Sequence, residues 1–387
     1  MTETRENTAH AAADALARIA RPSPALIGFD GFIDSIIHLV DTRHDMTPDG
    51  YTRLATIPAF AARCAAASGR STNIEQVLIE NRFGGNGPLL ASSLSRLGCP
   101  VTYIGAVGDG TGGVHPVFRS FADRCHRVIP TGPPSYTHCL EFEDGKLMLN
   151  NTRDVQRVTW EHVLATTGDE LLHRLVDESP LLGIVNWSLL GGVPGIWRGF
   201  LRDILPSVSP SPRRLFIDLS DPAKRTDADI ADALLLLREL EDAPGLSVTL
   251  GLNLAESQRI ARVLNARAFD DQSMATQSGA VTHAARAIRE ASNLSCVVIH
   301  PREGAAAADD TGNAAWFDGP FTPTPRLSTG AGDHFNGGFA FAQTHGLALD
   351  QCLAVGCAVS GAYVRDAESP TRERIESFLH DLPGAGE

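Results

Sequence analysis

The run Ser328, Thr329, Gly330, Ala331, Gly332, Asp333, continued by His334, Phe335, Asn336, Gly337 and Gly338, carries the clearest chemical signal in this chain. Gly330 and Gly332 tolerate backbone angles closed to other residues and leave room for a bulky anion. A helix beginning here offers unpaired N–H groups and the positive end of its dipole. Asp333, in the same turn, is placed to take a proton from a hydroxyl held beside that anion. An anion hole with an adjacent base is what phosphoryl transfer to a hydroxyl requires. The plain alternative is a tight turn with Asp333 as the helix N-cap.

Three other groups bear on that chemistry. Asn253 and Glu256 follow an apolar strand and open a helix. Three residues apart, they share one face of its first turn and could reach a hydrated Mg²⁺ and the phosphates it bridges. A capping box explains the same spacing. Gly84, Gly85, Asn86 and Gly87 precede a helix and can bring backbone close to a polyol, with the Asn86 amide both donating and accepting; a simple turn is the alternative. Asp30 and Asp34 flank a turn after the first apolar strand, where carboxylates suit neighbouring sugar hydroxyls. Turn chemistry also favours Asp there, and Asp34, set among apolar residues, is the better functional candidate.

Other devices are excluded or weak. The chain has two lysines, Lys146 and Lys224, among 33 basic residues. Neither follows the Gly-Lys-Ser/Thr pattern of a P-loop or the strand lysine of a protein kinase. Nucleotide phosphates would therefore be held by backbone N–H groups, arginine and metal. His115, His126, His138 and His300 lack metal-ligand spacing and read as surface or core histidines. The GDGTGG run at 108–113 is a weak dinucleotide fingerprint.

The elements that must position these residues alternate. Short apolar strands, one opening the strand-turn-strand run 25–40 and others at 101–108, 181–190, 213–222, 246–253 and 295–301, are interleaved with helices such as those within 84–98 and at 160–177, 228–241, 254–265 and 279–291. That alternation predicts an α/β fold with a central, mostly parallel sheet flanked by helices. Extra hairpins around 35–41, 73–83 and 137–151 break it and predict a small β-lid over the cleft, with strands drawn from 35–83 and 136–152. The expectation is one domain over residues 1–387.

Composition agrees with a soluble enzyme. The net charge of −13 argues against nucleic acid as a partner. No apolar run has the length of a membrane span. Seven scattered cysteines without C-x-x-C spacing suit reduced thiols, and with no leader pattern at the N-terminus the expected location is the cytoplasm.

Together these residues resemble the PfkB (ribokinase-like) family of carbohydrate and nucleoside kinases. The resemblance spans most of the chain: GGNGPLLASSLSRLG followed by IGAVGDGTGG is similar to the family's first signature, and STGAGDHFNGGF to its second. Asn253 with Glu256, and Asp221-Pro222 with Arg225 beyond, agree in type and order. The resemblance implies ATP as phosphoryl donor, Asp333 as base, and Gly330, Ala331 and Gly332 as the anion hole. It makes Asn253 and Glu256 the organisers of phosphate and Mg²⁺, the metal held by Glu256 through water. Thr329 and Gly304 would face the nucleotide, and Asp34, with Asp30, Gly84, Gly85 and Asn86, the acceptor. The chain departs from the pattern in four places. Leu89 stands where a substrate-binding Asn is usual, and Ala223 where Asp-Pro-Asn has its Asn. The nucleotide loop at 300–304 keeps only its last Gly. Leu327 replaces an acidic residue, leaving activation by a monovalent cation open. The expected reaction is phosphorylation of a sugar-like hydroxyl compound. The alternatives are a nucleoside kinase and a non-catalytic ligand-binding relative. A homodimer through the lid is a further expectation.

Overall fold

A computed structural model describes residues 2–269, 276–384 and 386. Its main sheet has nine strands. In spatial order they are Ala314–Asp318, Gly304–Asp309, Cys296–Ile299, Leu246–Leu252, Arg213–Asp218, Leu181–Val185, Ala25–Phe29, Val101–Gly105 and Arg127–Pro130. The seven from Cys296–Ile299 to Arg127–Pro130 pair parallel. Gly304–Asp309 and Ala314–Asp318, which add an antiparallel hairpin at one edge, were not foreseen.

Ala25–Phe29, Leu181–Val185 and Cys296–Ile299 are buried at every position, the mark of strands covered on both faces. Alternate side chains feed two cores. Leu26, Leu182, Ile184, Leu215, Ile217 and Val297 join one; Ile27, Leu181, Val185, Phe216 and Val298 join the other. Helices cover both sides. The segment 160–177 forms two helices, Trp160–Thr167 and Asp169–Asp177, because Gly168 between them takes φ 81°.

A second sheet of five strands stands apart. Phe32–Arg43 is its spine, antiparallel to Tyr51–Arg53 and Gln76–Gly84 and parallel to Ser135–Phe142; Gly145–Asn151 closes a hairpin on the latter. It has its own small core of Ile37, Leu39, Leu54, Leu140 and Phe142. Two residues, Asp30 and Gly31, separate its spine from the central strand Ala25–Phe29. The chemistry-bearing positions therefore gather at one end of the molecule. Asp30, Asn186, Asp218, Asn253 and His300 each fall at or just past the carboxyl end of a parallel strand, where open α/β sheets place their ligands.

Candidate active site

The corner built from Asp30 is entirely internal. Its Oδ2 accepts from the Asn86 N–H (3.0 Å) and from Asn186 Nδ2 (2.6 Å), and its Oδ1 from the Gly87 N–H (2.8 Å). The Tyr103 hydroxyl donates to its carbonyl oxygen (2.6 Å). Burial still pushes its carboxyl up to about 6. This corrects the expectation that Asp30 meets substrate: it is 0% exposed, and its oxygens are taken by the protein. Its work is to fix the 84–87 turn, where Gly85 takes φ 99° and a Cβ would lie 2.9 Å from Asp30. Held this way, Asn86 opens the helix Asn86–Arg96 and donates from Nδ2 to Asp333 Oδ1 at 2.8 Å.

Asp34 lies on the second sheet, 8% exposed, directly opposite Arg82 on the strand that ends in Gly84. A Cβ at Gly84 would come within 2.3 Å of its carboxylate, so only glycine fits there. Burial raises Asp34 to about 6, against the hydroxyl of Thr137 and the charges of Lys146 and Arg82, which favour the anion. A pocket beside it is lined by Asp34, Arg82, Leu89, Lys146, Thr329 and Tyr363, among others. Lys146 Nζ donates to Thr329 Oγ1 (3.1 Å) and pairs with Glu141 (2.8 Å). It ties the small sheet to the turn that precedes the helix Ala331–Thr344.

At that turn the N-cap position belongs to Gly330, at φ 87°, with no side-chain cap; Asp333 sits in the first turn of the helix Ala331–Thr344. The N-cap alternative for Asp333 is thereby replaced. His334 and Tyr363 hold the carbonyls back. His334 Nδ1 donates to Gly330 O (2.8 Å), its Nε2 accepts from the Ser369 hydroxyl (2.8 Å), and its ring stacks on Tyr363 at 3.6 Å. Burial lowers this imidazole to about 4, so it is neutral. The Tyr363 hydroxyl donates to Thr329 O (2.8 Å). The Ala331 N–H reaches Ser328 O (3.3 Å), while the next N–H of the helix start, that of Gly332, is open to a ligand.

On the far side of the turn lies a mostly apolar cleft of ≈ 420 Å³ whose lining includes Asn253, His300, Gly304, Ala331, Gly332 and Phe335. Asn253 and Gly304 both line this cleft. Each also has a structural reason to be there. Asn253 and Glu256 make a complete capping box, and a Cβ at Gly304 would lie 2.4 Å from Phe317 O. His300, read from sequence as a surface or core residue, is a partly buried wall of the cleft, its imidazole lowered to about 4 by desolvation. The GDGTGG run is a turn in which Asp109 accepts from the Thr111 and Gly113 N–H groups.

Glu256 does more than cap. It is 9% exposed, and burial followed by the charge of Asp218 pushes it well above the usual carboxylate range. Asp333 is pushed well up by the same two causes, against its bond from Asn86. Asp218, which the sequence reading did not single out, ends the strand Arg213–Asp218 and accepts from the Ser220 N–H (2.6 Å) and Asn336 Nδ2 (2.7 Å). Burial raises it to about 6. Asp221, singled out instead, caps its own turn through the Ala223 N–H (3.1 Å), and Arg225 lies over the Trp187 ring at 4.3 Å. The charge of Asp218 raises both Glu256 and Asp333, and that of Asp333 raises Glu256, so these three buried carboxylates leave a deficit of positive charge. Among the described residues no three side chains converge as a metal cage. That donor set suits a Mg²⁺ held through water and phosphate oxygens.

Lys146, Tyr363 and Asp218 are the site residues that sequence reasoning missed. The rarity of lysine was a usable signal for Lys146; Asp218 and Tyr363 carried no local one.

Comparison with known proteins gives the same answer. A family model described as prokaryotic ketohexokinase matches residues 1–382. The ketohexokinase of Haloferax volcanii is 31% identical over 380 residues, covering 97% of this chain and 96% of the relative. Among solved structures, ribokinase from Cryptococcus neoformans var. grubii serotype A in complex with ADP superposes with TM-score 0.61 at 16% identity, over 92% of this chain and 99% of its own. Adenosine kinase from Sinorhizobium meliloti gives 0.60 at 17% identity, over 94% and 99%. These two share the fold. The match over nearly the whole chain shows the family: the chain belongs to the prokaryotic ketohexokinase family of PfkB carbohydrate kinases and is a sugar kinase.

Proposed function

We propose that this enzyme transfers the γ-phosphoryl group of ATP to a hydroxyl of a ketohexose, with Asp333 as the base. The observation that carries this reading is the position of the 329–332 turn between two cavities. Thr329 lines the pocket that holds Asp34, and Ala331 and Gly332 line the cleft that holds Asn253 and Gly304. A donor in the cleft and an acceptor under the small sheet would meet at the uncapped helix start. The Gly330, Ala331 and Gly332 backbone stabilises charge on the phosphoryl oxygens in flight. Asp34 orients the sugar, and Gly84 and Gly85 let it lie close to the backbone. Asn86 holds the Asp333 carboxylate toward the acceptor oxygen, and Asp333 takes the proton as the new P–O bond forms. Glu256 and Asn253, with Asp218, are the residues that would hold Mg²⁺. The ion, when bound, neutralises charge on the phosphates. Leu327 offers no carboxylate for a monovalent cation.

The chain works in this reading as one kinase domain with the small sheet as its lid. Leu78, Ile79, Tyr136, Met148 and Leu149 are exposed there, and we place a homodimer on that sheet; a monomeric mass by light scattering contradicts it. No described helix is long and apolar enough to cross a membrane. The seven cysteines are all free, and on that ground we place the protein in the cytoplasm.

The test is ADP release with ATP and Mg²⁺ over a panel of ketohexoses, aldoses, polyols and nucleosides. Highest kcat/KM on a ketohexose is expected. A nucleoside preferred over every sugar would replace the substrate assignment, and saturable binding without turnover would replace the enzymatic one.

A further inference from the structure

The acceptor pocket does not end beneath the small sheet. Arg82, Phe83, Leu89, Leu327 and Tyr363 line it and also line a second cavity of ≈ 410 Å³. None of the groups placed in the reaction needs this second space. Its character is basic: Arg82, Arg96 and Arg124 line it, with Glu368 as the one carboxylate among its described walls. The chain as a whole carries −13, so three guanidinium groups around one cavity go against the global charge.

The three arginines come from different elements. Arg82 lies on the strand Gln76–Gly84, directly opposite Asp34 in register. Leu89 and Arg96 are seven residues apart on the helix Asn86–Arg96 and therefore share a face. That face runs from the acceptor pocket to the second cavity. Arg124 follows the short helix Arg119–Ala122. Arg82 is paired with Glu80. Arg96 spends its Nε on Ser369 O (2.8 Å). Among the described residues neither Arg96 nor Arg124 has an ion-pair partner. Partial burial and the neighbouring charge of Arg96 both disfavour the charged form of Arg124. Two unpaired guanidinium groups close enough to repel are stabilised by a shared anion, and a phosphoryl group with three acceptor oxygens matches their planar donors. Ser120, Ser369 and Asn81 add polar groups around it.

We propose that this cavity binds the phosphoryl group of a sugar phosphate whose sugar end occupies the acceptor pocket beside Asp34. The proposal rests on the acceptor-pocket assignment above and extends it. Sugar phosphates then compete with the neutral sugar for one site, and Arg124 decides how well.

The experiment is competition kinetics on the full-length enzyme. Ketohexose-dependent ADP release is measured against D-fructose 6-phosphate and, separately, inorganic phosphate, in wild type, Arg124→Gln and Arg124→Lys. Arg124 is exposed at the rim, so these variants fold. The expected result is competitive inhibition by the sugar phosphate, weakened about tenfold in Arg124→Gln, the loss of one charge-assisted contact. Arg124→Lys recovers part of it, and KM for fructose changes less than about twofold. Equal inhibition of wild type and Arg124→Gln overturns the proposal. Inorganic phosphate competing with fructose as well as the sugar phosphate does overturns it too, since the site then takes any free anion. Calorimetric titration of D-fructose 6-phosphate into wild type and Arg124→Gln reads the same site without turnover. Weaker binding in the variant supports the cavity even if fructose proves not to be a substrate, and equal binding overturns it.

Discussion

Replacing Asp333 by asparagine separates chemistry from structure with one atom. The replacement amide still offers a carbonyl oxygen to Asn86 Nδ2, now 2.8 Å from Asp333 Oδ1, so the corner keeps its bond. It loses the base. General-base catalysis by a positioned side chain contributes about 10²–10⁴, and kcat is expected to fall by that factor, with ATP affinity within about threefold. Stability should move the other way. Asp218 in the same cluster, raised from 3.8 to about 6 by burial, costs on the order of 3 kcal/mol when ionised at pH 8. Asp333 is under the same burial and also feels the charge of Asp218. Removing its charge therefore stabilises the metal-free protein, seen as a higher melting temperature. The sign follows from a folded pKa raised above the unfolded one: the penalty is present at pH 8 and fades as both states become protonated, so the gain shrinks toward pH 4. ADP-release kinetics, ATP titration and melts at pH 8 and pH 5 test all three. A kcat within tenfold of wild type refutes the base. A variant that loses activity and melts lower than wild type refutes the electrostatic argument.

Other perturbations follow from the same geometry. Gly330→Ala adds a Cβ at φ 87°, 3.0 Å from Leu89 Cδ1 and 3.1 Å from the Tyr363 hydroxyl; with about 1–2 kcal/mol of backbone cost, kcat should fall at least tenfold while circular dichroism stays native, and an unchanged kcat would show that the turn has slack. Lys146→Met keeps the apolar stem but loses the contacts to Thr329 and Glu141 and the charge acting on Asp34; KM for the sugar should rise about 5–20-fold with the melting temperature within about 2 °C, since partly exposed ion pairs add little stability, and an unchanged KM removes Lys146 from the site. Asp34, raised to about 6, should weaken sugar binding as the pH falls through 6, whereas its contribution to stability improves over the same descent, because a carboxyl with a raised folded pKa destabilises the fold only where it is ionised. Asp34→Asn should flatten both profiles, and a pH-independent KM between 5 and 8 in wild type would exclude an ionised Asp34 as anchor.

What could be read in the sequence was what lies close along the chain. The strands at Ala25–Phe29 and Cys296–Ile299 announced themselves as unbroken apolar runs, because both their faces are covered. The strand Gly304–Asp309, almost all alanine, did not; alanine has little intrinsic preference for strands, and the sheet edge with its partner Ala314–Asp318 decides the matter. Asp333 and its glycines, and Asn253 with Glu256, were legible because one turn holds each group. Lys146 meets Thr329 across 183 residues and Asn336 meets Asp218 across 118. No local pattern encodes such meetings.

The site's five buried acids, four Asp and one Glu, show why residue type alone could not assign roles. Asp30 has its oxygens taken by three protein N–H donors and is left with nothing for a ligand. Asp34 has two cations acting on it and stands on the wall of a pocket, so it can remain an anion and still accept from a sugar. Asp218 and Glu256 face like charge and are raised by it or by burial, the condition that a divalent cation relieves. Asp333 shares that pressure but also has Asn86 to orient it, and a carboxylate made more basic yet held in line is better suited to take a proton than to hold a metal. Burial alone would raise all five; the partners separate them. The same partners set the response to pH: burial raises Asp34 and Asp218 to about 6, and burial with the charge of Asp218 pushes Asp333 and Glu256 well up. With Mg²⁺ bound, the compensating charge pulls Asp333 and Glu256 down and moves the acid limb of kcat to lower pH.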